Sequence, residues 1–343
     1  MTHKDRNFIA SGLVLLTLVG ISATAGSYDR QQKGSDRGSG ARVSTYRINP
    51  EMTYPSVSGG VLLQFLRDSS NKQMPNIVLT NLKNHEVKEM TLWFDDATDV
   101  HIVSATASLG ANIVVSGYAH SKDGVTAKYI AQLDAHGAVT HVIRTNPYLA
   151  SSVCMNQDGS VWTAGKVDNR DVPQTYRVIR EWSMTTGLKA AALPYREFFL
   201  PSGIRGETNS GIFFRCGREN LFLYRSSDGV LATVDAHTLA ATIVSVRLMS
   251  SGMVTTDFEC LDNGTIYSSV VLRQDKQPRT VGEVLYARIT GDSHGWSVQP
   301  NLPMNANVDS VPVLRGIDDG SLVFANQSAG SDPHFVELVW TSP

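Results

Sequence analysis

Cysteine is scarce in this chain, and neither sign of charge is in excess. The 343 residues include three cysteines, and none of them forms a CxxC pair, which argues against a disulfide scaffold and against a structural zinc site. The 30 basic and 32 acidic residues give a formal net charge of −2, so the chain lacks the basic surplus that nucleic-acid binding requires. We therefore expect no nucleic-acid partner.

Common catalytic motifs are also absent. The sequence has no GxSxG elbow, HExxH zinc motif, phosphate-binding loop or GxGxxG fingerprint. We therefore expect no cofactor and no metal, and we favour a non-enzymatic protein. Loops from different repeats can still build a catalytic site, so an enzyme remains the alternative.

The N-terminus has the features of an export signal. Lys4 and Arg6 precede an uncharged run over residues 8–21, and Ala23-Thr24-Ala25 matches the small-x-small pattern of a signal-peptidase site. A spanning helix needs about 20 mostly apolar residues, and this run is shorter. We predict a signal peptide over 1–25 and a periplasmic or extracellular protein without a stable membrane span. An uncleaved N-terminal membrane anchor is the alternative.

Residues 26–42 are rich in glycine, serine and charge and have no hydrophobic pattern, which indicates a flexible linker. Residues 43–343 then show short β-branched or alternating runs separated by Gly, Asn and Asp turns, typical of many antiparallel strands. We predict one all-β domain over 43–343.

One element recurs along this domain: a strand, a tight turn, and an apolar second strand. Asp-Gly and Asn-Gly supply the positive φ angles that a two-residue hairpin needs. The equivalent positions, spaced 52 residues apart on average, are Gly60, Gly110, Gly159, Asn220, Gly264 and Gly320. A repeat of about this length with four strands is typical of a β-propeller blade.

The run from Ser152 to Gly165, SVCMNQDGSVWTAG, resembles the inner hairpin of secreted bacterial β-propellers of the broad WD40-like, NHL-like and YVTN-like group. The resemblance covers roughly residues 43–343 and implies architecture, not activity. The Gly-His and Trp-Asp signatures of true WD40 repeats and the paired glycines of kelch repeats are absent. We predict six four-stranded blades, with seven as the alternative; a pair of β-sandwiches is the competing fold.

The last repeat is one strand short, because the chain stops soon after the strand at 335–340. Residues 42–48, RVSTYRI, alternate as an amphipathic strand should. An open outer edge would leave unpaired backbone groups. We predict that 43–48 pairs beside 335–340 and closes the last blade.

Cys154, Cys216 and Cys260 occupy nearly the same place in three successive repeats. We expect buried thiols, because equivalent positions on neighbouring blades should exceed the Cα separation of about 4.4–6.8 Å that a disulfide allows. One interblade disulfide and a reactive or metal-binding cysteine are the alternatives.

Several acidic and histidine groups are weak candidates for binding cations. Three acidic clusters could offer oxygen ligands, but none matches a spaced calcium loop. His101, His120 and His141 could converge on strands of one blade, although such histidines usually lie on the surface. The acidic clusters are Asp95-Asp96 with Asp99, Asp168-Asn169 with Asp171, and Asp318-Asp319.

Basic residues gather in loops that could share one rim of the propeller and meet an anionic ligand or an acidic protein patch. They are Lys166, Arg170, Arg205, Arg273, Lys276 and Arg279. We predict an exported, monomeric binding or scaffold protein whose protein or small-molecule ligand is unknown. The alternative is a propeller hydrolase or lyase acting on a sugar, lactone or peptide at the channel mouth.

Overall fold

The computed structural model describes residues 42–342, except 108–111, 157, 168–175, 200–210, 227, 247–252, 262–264, 275–276, 289–296, 299–309 and 329–331. The predicted signal peptide and all but the last residue of the predicted linker lie outside the described residues. Within them the protein is all-β, as predicted, and none of its helices is long and apolar enough to cross a membrane.

Among the described residues, the elements are strands of two to twelve residues and one helical turn. The strands of the first half are β1 (Arg42–Arg47), β2 (Ser56–Ser58), β3 (Val61–Phe65), β4 (Asp68–Ser69), β5 (Ile77–Asn81), β6 (Val87–Met90), β7 (Ala97–Ala107), β8 (Ile113–Ser121), β9 (Thr126–Leu133), β10 (Val139–Arg144), β11 (Tyr148–Met155), β12 (Val161–Val167), β13 (Arg177–Ser183) and β14 (Gly187–Pro194). Then follow α1 (Tyr195–Phe199), β15 (Ile212–Cys216), β16 (Asn220–Arg225), β17 (Val230–Asp235), β18 (Ala241–Ser245), β19 (Met253–Cys260), β20 (Thr265–Gln274), β21 (Gln277–Arg288), β22 (Ser297–Val298), β23 (Ser310–Asp318), β24 (Ser321–Ser328) and β25 (Phe335–Thr341).

The strands form several antiparallel meanders. Three sheets have four strands each, in the orders β11-β12-β13-β14, β15-β16-β17-β18 and β19-β20-β21-β22. A fourth sheet has the order β10-β9-β8-β7-β4. The fifth has eight strands, in which the four-stranded groups β1-β25-β24-β23 and β2-β3-β5-β6 are joined by a parallel pair between β2 and β23. We call β2, β7, β11, β15, β19 and β23 the first strands, because each is the strand of its four-stranded group that contacts the corresponding strand of a neighbouring group.

The two ends of the described chain lie in one sheet. β1 pairs antiparallel with β25 from Arg42 opposite Trp340 to Arg47 opposite Phe335. The predicted pairing of residues 43–48 with 335–340 is therefore present in the structure.

The turn at Asp319-Gly320 shows how the repeated hairpin forms. Both residues have positive φ angles, 49° and 73°, and they connect Asp318 to its cross-strand partner Ser321. This is the two-residue turn that matches the twist of the flanking strands. The prediction for this turn is confirmed, and the predicted turns at Gly110 and Gly264 lie outside the described residues.

The prediction for the cysteines was wrong for two of the three. Cys154 on β11 and Cys216 on β15 form a disulfide with a Cα–Cα distance of 5.8 Å. The first strands β11 and β15 are in contact, so equivalent positions on them can be bridged. Cys260 lies outside the disulfide and is buried.

Candidate functional site

Four charged side chains meet on the first strands of three neighbouring sheets. They are Arg215 on β15, Asp257 and Glu259 on β19, and Arg315 on β23, and we call them the inner charge cluster. The alternation of residues along each strand explains which face these side chains lie on, because successive side chains of a strand point to opposite faces.

Each charged residue in this cluster is next to a fully buried apolar one. Phe214 precedes Arg215, Phe258 separates the two acids, and Leu314 precedes Arg315, and all three apolar side chains are buried. The apolar residues therefore pack into the core, and the charged residues project to the other side of the strands.

Arg215 holds the two acidic residues together. Its Nη2 donates to Asp257 Oδ1 at 2.7 Å, and its Nε donates to Glu259 Oε1 at 2.7 Å. Its Nη1 donates to the carbonyl oxygen of Phe214 at 2.9 Å. The Nη1 of Arg315 lies 3.6 Å from Asp257 Oδ2, so Asp257 lies between the two arginines.

Burial dominates the electrostatics of this cluster. Burial raises the pKa of Glu259 to about 7; the Asp257 carboxylate adds to the shift, and Arg215 opposes it. Burial also lowers the pKa of Arg315, although the Asp257 carboxylate opposes this shift. Burial therefore acts against the charged forms of both Glu259 and Arg315.

Tyr54 is an exposed residue beside the cluster and lies against Arg315, whose own side chain is 14% exposed. The Cζ atom of Arg315 lies 4.2 Å from the centroid of the Tyr54 ring, and Tyr54 is 46% exposed. Among the described residues, the buried Nε of Arg315 has no hydrogen-bond partner. A donor without an acceptor beside an exposed aromatic ring is suited to bind an anionic group that brings the missing acceptor.

A second polar cluster lies on the sheet that contains β7. It consists of Asp68, Asp99, His101 and His120, and we call it the histidine–aspartate cluster. The strand register brings these residues together: Asp99 on β7 is opposite His120 on β8, and His101 on β7 is opposite Asp68 on β4. Asp99 and His101 are two residues apart on one strand, so all four side chains share one face.

Asp99 is at the centre of this second cluster. Its Oδ1 lies 2.7 Å from His120 Nδ1 and 2.9 Å from His101 Nε2. The other ring nitrogen of His101, Nδ1, contacts a carboxylate oxygen of Asp68. Burial acts to raise the pKa of Asp99, but the hydrogen bond from His120 and the charges of both histidines lower it overall. One ligand atom from each of Asp99, His101 and His120 lies within 4.8 Å of the others, a separation that a metal ion could bridge.

The structure brings together only some of the residues that were predicted to bind cations. Asp99 belongs with the histidines, whereas Asp95 and Asp96 form an exposed turn before β7. His141 is exposed on β10, two strands away from β8, so it does not join the pair. Asp318 accepts a hydrogen bond from Trp340 Nε1 at 2.9 Å, and the cluster at Asp168 lies outside the described residues.

The predicted basic rim stays a prediction. Lys166 lies in β12 opposite Leu149, and Arg273 lies in β20 opposite Pro278, so both are strand residues and not loop residues as predicted. Arg279 lies in β21. Arg170, Arg205 and Lys276 lie outside the described residues.

Sequence reasoning missed the inner charge cluster. Its signal is the charge inside otherwise apolar first strands, in the runs Phe213-Phe214-Arg215-Cys216 and Asp257-Phe258-Glu259-Cys260. An ionisable group on a predicted buried strand needs a partner, and that partner had to come from a neighbouring repeat.

Comparisons with known proteins identify the fold and not a family. No family model and no curated protein matches the sequence. The structure is similar to that of a candidate exported protein of Bacteroides fragilis, at 8% identity and a TM-score of 0.50, covering 88% of this chain and 94% of that one. It is also similar to U3-55K, at 8% identity and a TM-score of 0.50, covering 87% of this chain and 98% of that one. At this identity the likeness concerns the fold alone, and with the sheets described above it shows that the chain has a β-propeller-like fold.

Proposed function

We propose that the chain is an exported, non-enzymatic binding protein that forms a closed ring of six four-stranded blades. Its ligand carries a carboxylate group, which binds to Arg315 beside Tyr54 at the inner charge cluster. The observation that carries the proposal is the buried Arg315 Nε, a donor without a hydrogen-bond partner among the described residues, next to a half-exposed aromatic ring.

The contacts between first strands support a ring of six blades. β7 contacts β11, β11 contacts β15, β15 contacts β19, and β19 contacts β23. β23 then pairs with β2, whose neighbour β3 contacts β7. The series returns to its starting point after six groups of four strands, and the pairing of β1 with β25 supplies the fourth strand of the last group.

Three observations support export. The Ala23-Thr24-Ala25 site would release a chain that begins at Gly26. The disulfide between Cys154 and Cys216 requires an oxidising compartment to persist. The similar structure from Bacteroides fragilis is itself that of a candidate exported protein.

N-terminal sequencing of periplasmic or secreted material tests the proposed export. An intact Met1 in a membrane fraction would favour the anchor alternative.

A carboxylate suits the site better than a cation or a neutral polar group. The two acids are already bound by Arg215, so a cation would have to displace an arginine. Arg315 has a longer and weaker contact, 3.6 Å to Asp257, and retains donors for a second acceptor. The planar guanidinium group matches a carboxylate with two parallel hydrogen bonds.

The experiment is a thermal-shift series with acetate, succinate and glutamate, each compared with its neutral amide. A carboxylate that binds the folded chain stabilises it by about 2.7 kcal/mol at 100 times its dissociation constant. We expect stabilisation by the acids and not by the amides, and loss of the effect in Arg315→Gln. Each variant is compared with its own unfolding temperature without ligand.

Arg180→Gln is the matched control. Arg180 also lies over a tyrosine ring, 3.9 Å from the centroid of Tyr148, and its buried Nε also has no hydrogen-bond partner among the described residues. It lies on β13, and its ring partner Tyr148 is at the start of β11, in a different sheet from Arg315. If Arg180→Gln removes the ligand effect as fully as Arg315→Gln does, the proposed site is wrong.

A hydrolase or lyase is the second candidate, and Glu259 is the observation that favours it. A carboxyl group with a pKa of about 7 is suited to general acid–base catalysis at neutral pH. Turnover of chromogenic glycosides, lactones or peptides that disappears in Glu259→Gln would favour this candidate. Turnover that Glu259→Gln leaves unchanged would reject it.

A further inference from the structure

The structure points to a binding site for one transition-metal ion of the zinc class on the β7–β8 hairpin, and we propose it as a new site. Asp99, His101 and His120 supply the ligand atoms, and Asp68 is the carboxylate behind His101. The site is separate from the inner charge cluster and does not depend on the proposed binding function. It also differs from the absence of metal that the sequence led us to expect.

The ligand atoms already converge. Asp99 Oδ1 is 2.7 Å from His120 Nδ1 and 2.9 Å from His101 Nε2. Neighbouring ligands of a tetrahedral ion with bonds of about 2.1 Å lie about 3.4 Å apart. Side-chain movements that lengthen these two distances by about 0.5–0.7 Å are therefore enough to admit an ion among the three atoms.

The arrangement around His101 matches the surroundings of a metal-binding histidine. Its Nε2 faces Asp99, while its Nδ1 contacts the carboxylate of Asp68 on the next strand. A metal-binding histidine typically donates its second ring nitrogen to a carboxylate, which fixes the orientation of the ring. Asp68 is in this position, since it is the direct cross-strand partner of His101 on β4.

An aromatic ring also holds the histidines in place. The Tyr118 ring stacks on His101 with a centroid distance of 4.4 Å and meets His120 edge-on at 5.4 Å. Tyr118 is the cross-strand partner of His101 on β8. Both ligands on β7 and the ligand on β8 therefore sit on hydrogen-bonded strands, which position side chains more precisely than loops do.

The chemistry of the ligands indicates the class of metal. Two imidazole nitrogens and one carboxylate suit Zn²⁺ and its neighbours in the first transition row, whereas Ca²⁺ and Mg²⁺ prefer oxygen ligands. The side chains of Asp99, His101 and His120 are between 20% and 38% exposed, so an ion can reach them from solvent. Three protein ligands leave a fourth position for water or for a group from a partner molecule.

Isothermal titration of the full chain, without a polyhistidine tag, tests the site with Zn²⁺ as the probe. We expect one Zn²⁺ per chain, and a loss of affinity of about 100-fold or more in His101→Ala and in His120→Ala. Asp68→Asn keeps the ligands and removes the outer carboxylate, so it should weaken binding by about 10- to 100-fold without changing the stoichiometry. Co²⁺ bound to the wild-type chain should show the visible absorption of a four-coordinate ion, and Ca²⁺ should not compete.

His141→Ala is the matched control, because His141 is exposed on the same sheet and lies outside the cluster. Its affinity for Zn²⁺ should stay within about twofold of that of the wild type. Circular dichroism of each variant confirms that the strands are retained. The proposal is wrong if the wild type binds no Zn²⁺ at about 100 µM, if His141→Ala weakens binding as much as His101→Ala does, or if Asp68→Asn has no effect.

Discussion

Replacing Tyr46 by alanine should destabilise the protein strongly, because Tyr46 joins the two ends of the folded chain. It lies on β1, which pairs with β25, and it is 1% exposed. Its hydroxyl donates to the carbonyl oxygen of Leu82 at 2.8 Å, and its ring stacks on His85 with a centroid distance of 4.7 Å. Leu82 and His85 belong to the connection between β5 and β6, so one side chain links the last four-stranded group to the first.

The expected magnitude follows from burial and from the hydrogen bond. Removing a buried aromatic side chain typically costs about 3–5 kcal/mol of unfolding free energy. Tyr46→Phe keeps the ring but leaves the Leu82 oxygen without this donor, at a cost of about 1–3 kcal/mol. Val43→Ala on the same strand should cost about 0.5 kcal/mol, because Val43 is 53% exposed.

Urea unfolding followed by tryptophan fluorescence and circular dichroism measures these differences. A parallel pair of deletions tests the same link, since deletion of residues 26–50 removes β1 and deletion of 26–40 does not. We expect a sharp loss of stability only for the longer deletion. Tyr46→Ala costing no more than Val43→Ala, or equal tolerance of both deletions, would refute the reasoning.

Three further predictions concern the core. Replacing Cys154 and Cys216 with serine should lower the free energy of unfolding by about 2–4 kcal/mol, since the disulfide closes a loop of 62 residues. A native mass that lacks the loss of two hydrogens would contradict the disulfide. Because the pKa of Glu259 is raised to about 7, from about 4.3 when unfolded, its contribution to stability is present below pH 4 and lost as pH rises to 7. Glu259→Gln should remove this slope of at most about 1.4 kcal/mol per pH unit, and an unchanged pH profile would reject the shift. Gly316→Ala should cost about 3 kcal/mol or more in chemical unfolding, because its Cβ would lie 1.8 Å from a carbonyl oxygen of β2, whereas Gly320→Ala meets nothing within 4 Å and should cost less.

The hairpins and the pairing of the chain ends could be predicted because both depend on local rules. Asp319-Gly320 adopts the positive φ angles that its residue types favour. The alternation in residues 42–48 sets which side of β1 is buried, and the missing strand of the last repeat indicates where it pairs. Such signals need no knowledge of distances between repeats.

Distances between repeats are what the sequence does not contain. The spacing of Cys154 and Cys216 places them at equivalent positions, but whether those positions are 5.8 Å apart depends on how the first strands converge. The same limit applies to the bond from Arg215 to Glu259, which joins two sheets.

The histidine–aspartate cluster was only partly predictable. The alternation of a strand puts Asp99 and His101 on one face, and a hairpin can bring His120 opposite them. Which residue of β8 faces Asp99 depends on the irregularity in register between Ile102 and Ser104, which lies between the hairpin turn and Asp99. The sequence therefore indicated that histidines could converge but included His141, which the sheet order separates from them.

The most direct test of the proposed binding site is a crystal structure of residues 26–343 with the carboxylate that gives the largest thermal shift. The account predicts a carboxylate oxygen about 2.7–3.2 Å from Arg315 Nε, with the ligand against the exposed face of Tyr54. A ligand bound elsewhere, with Arg315 Nε still lacking an acceptor, would contradict it.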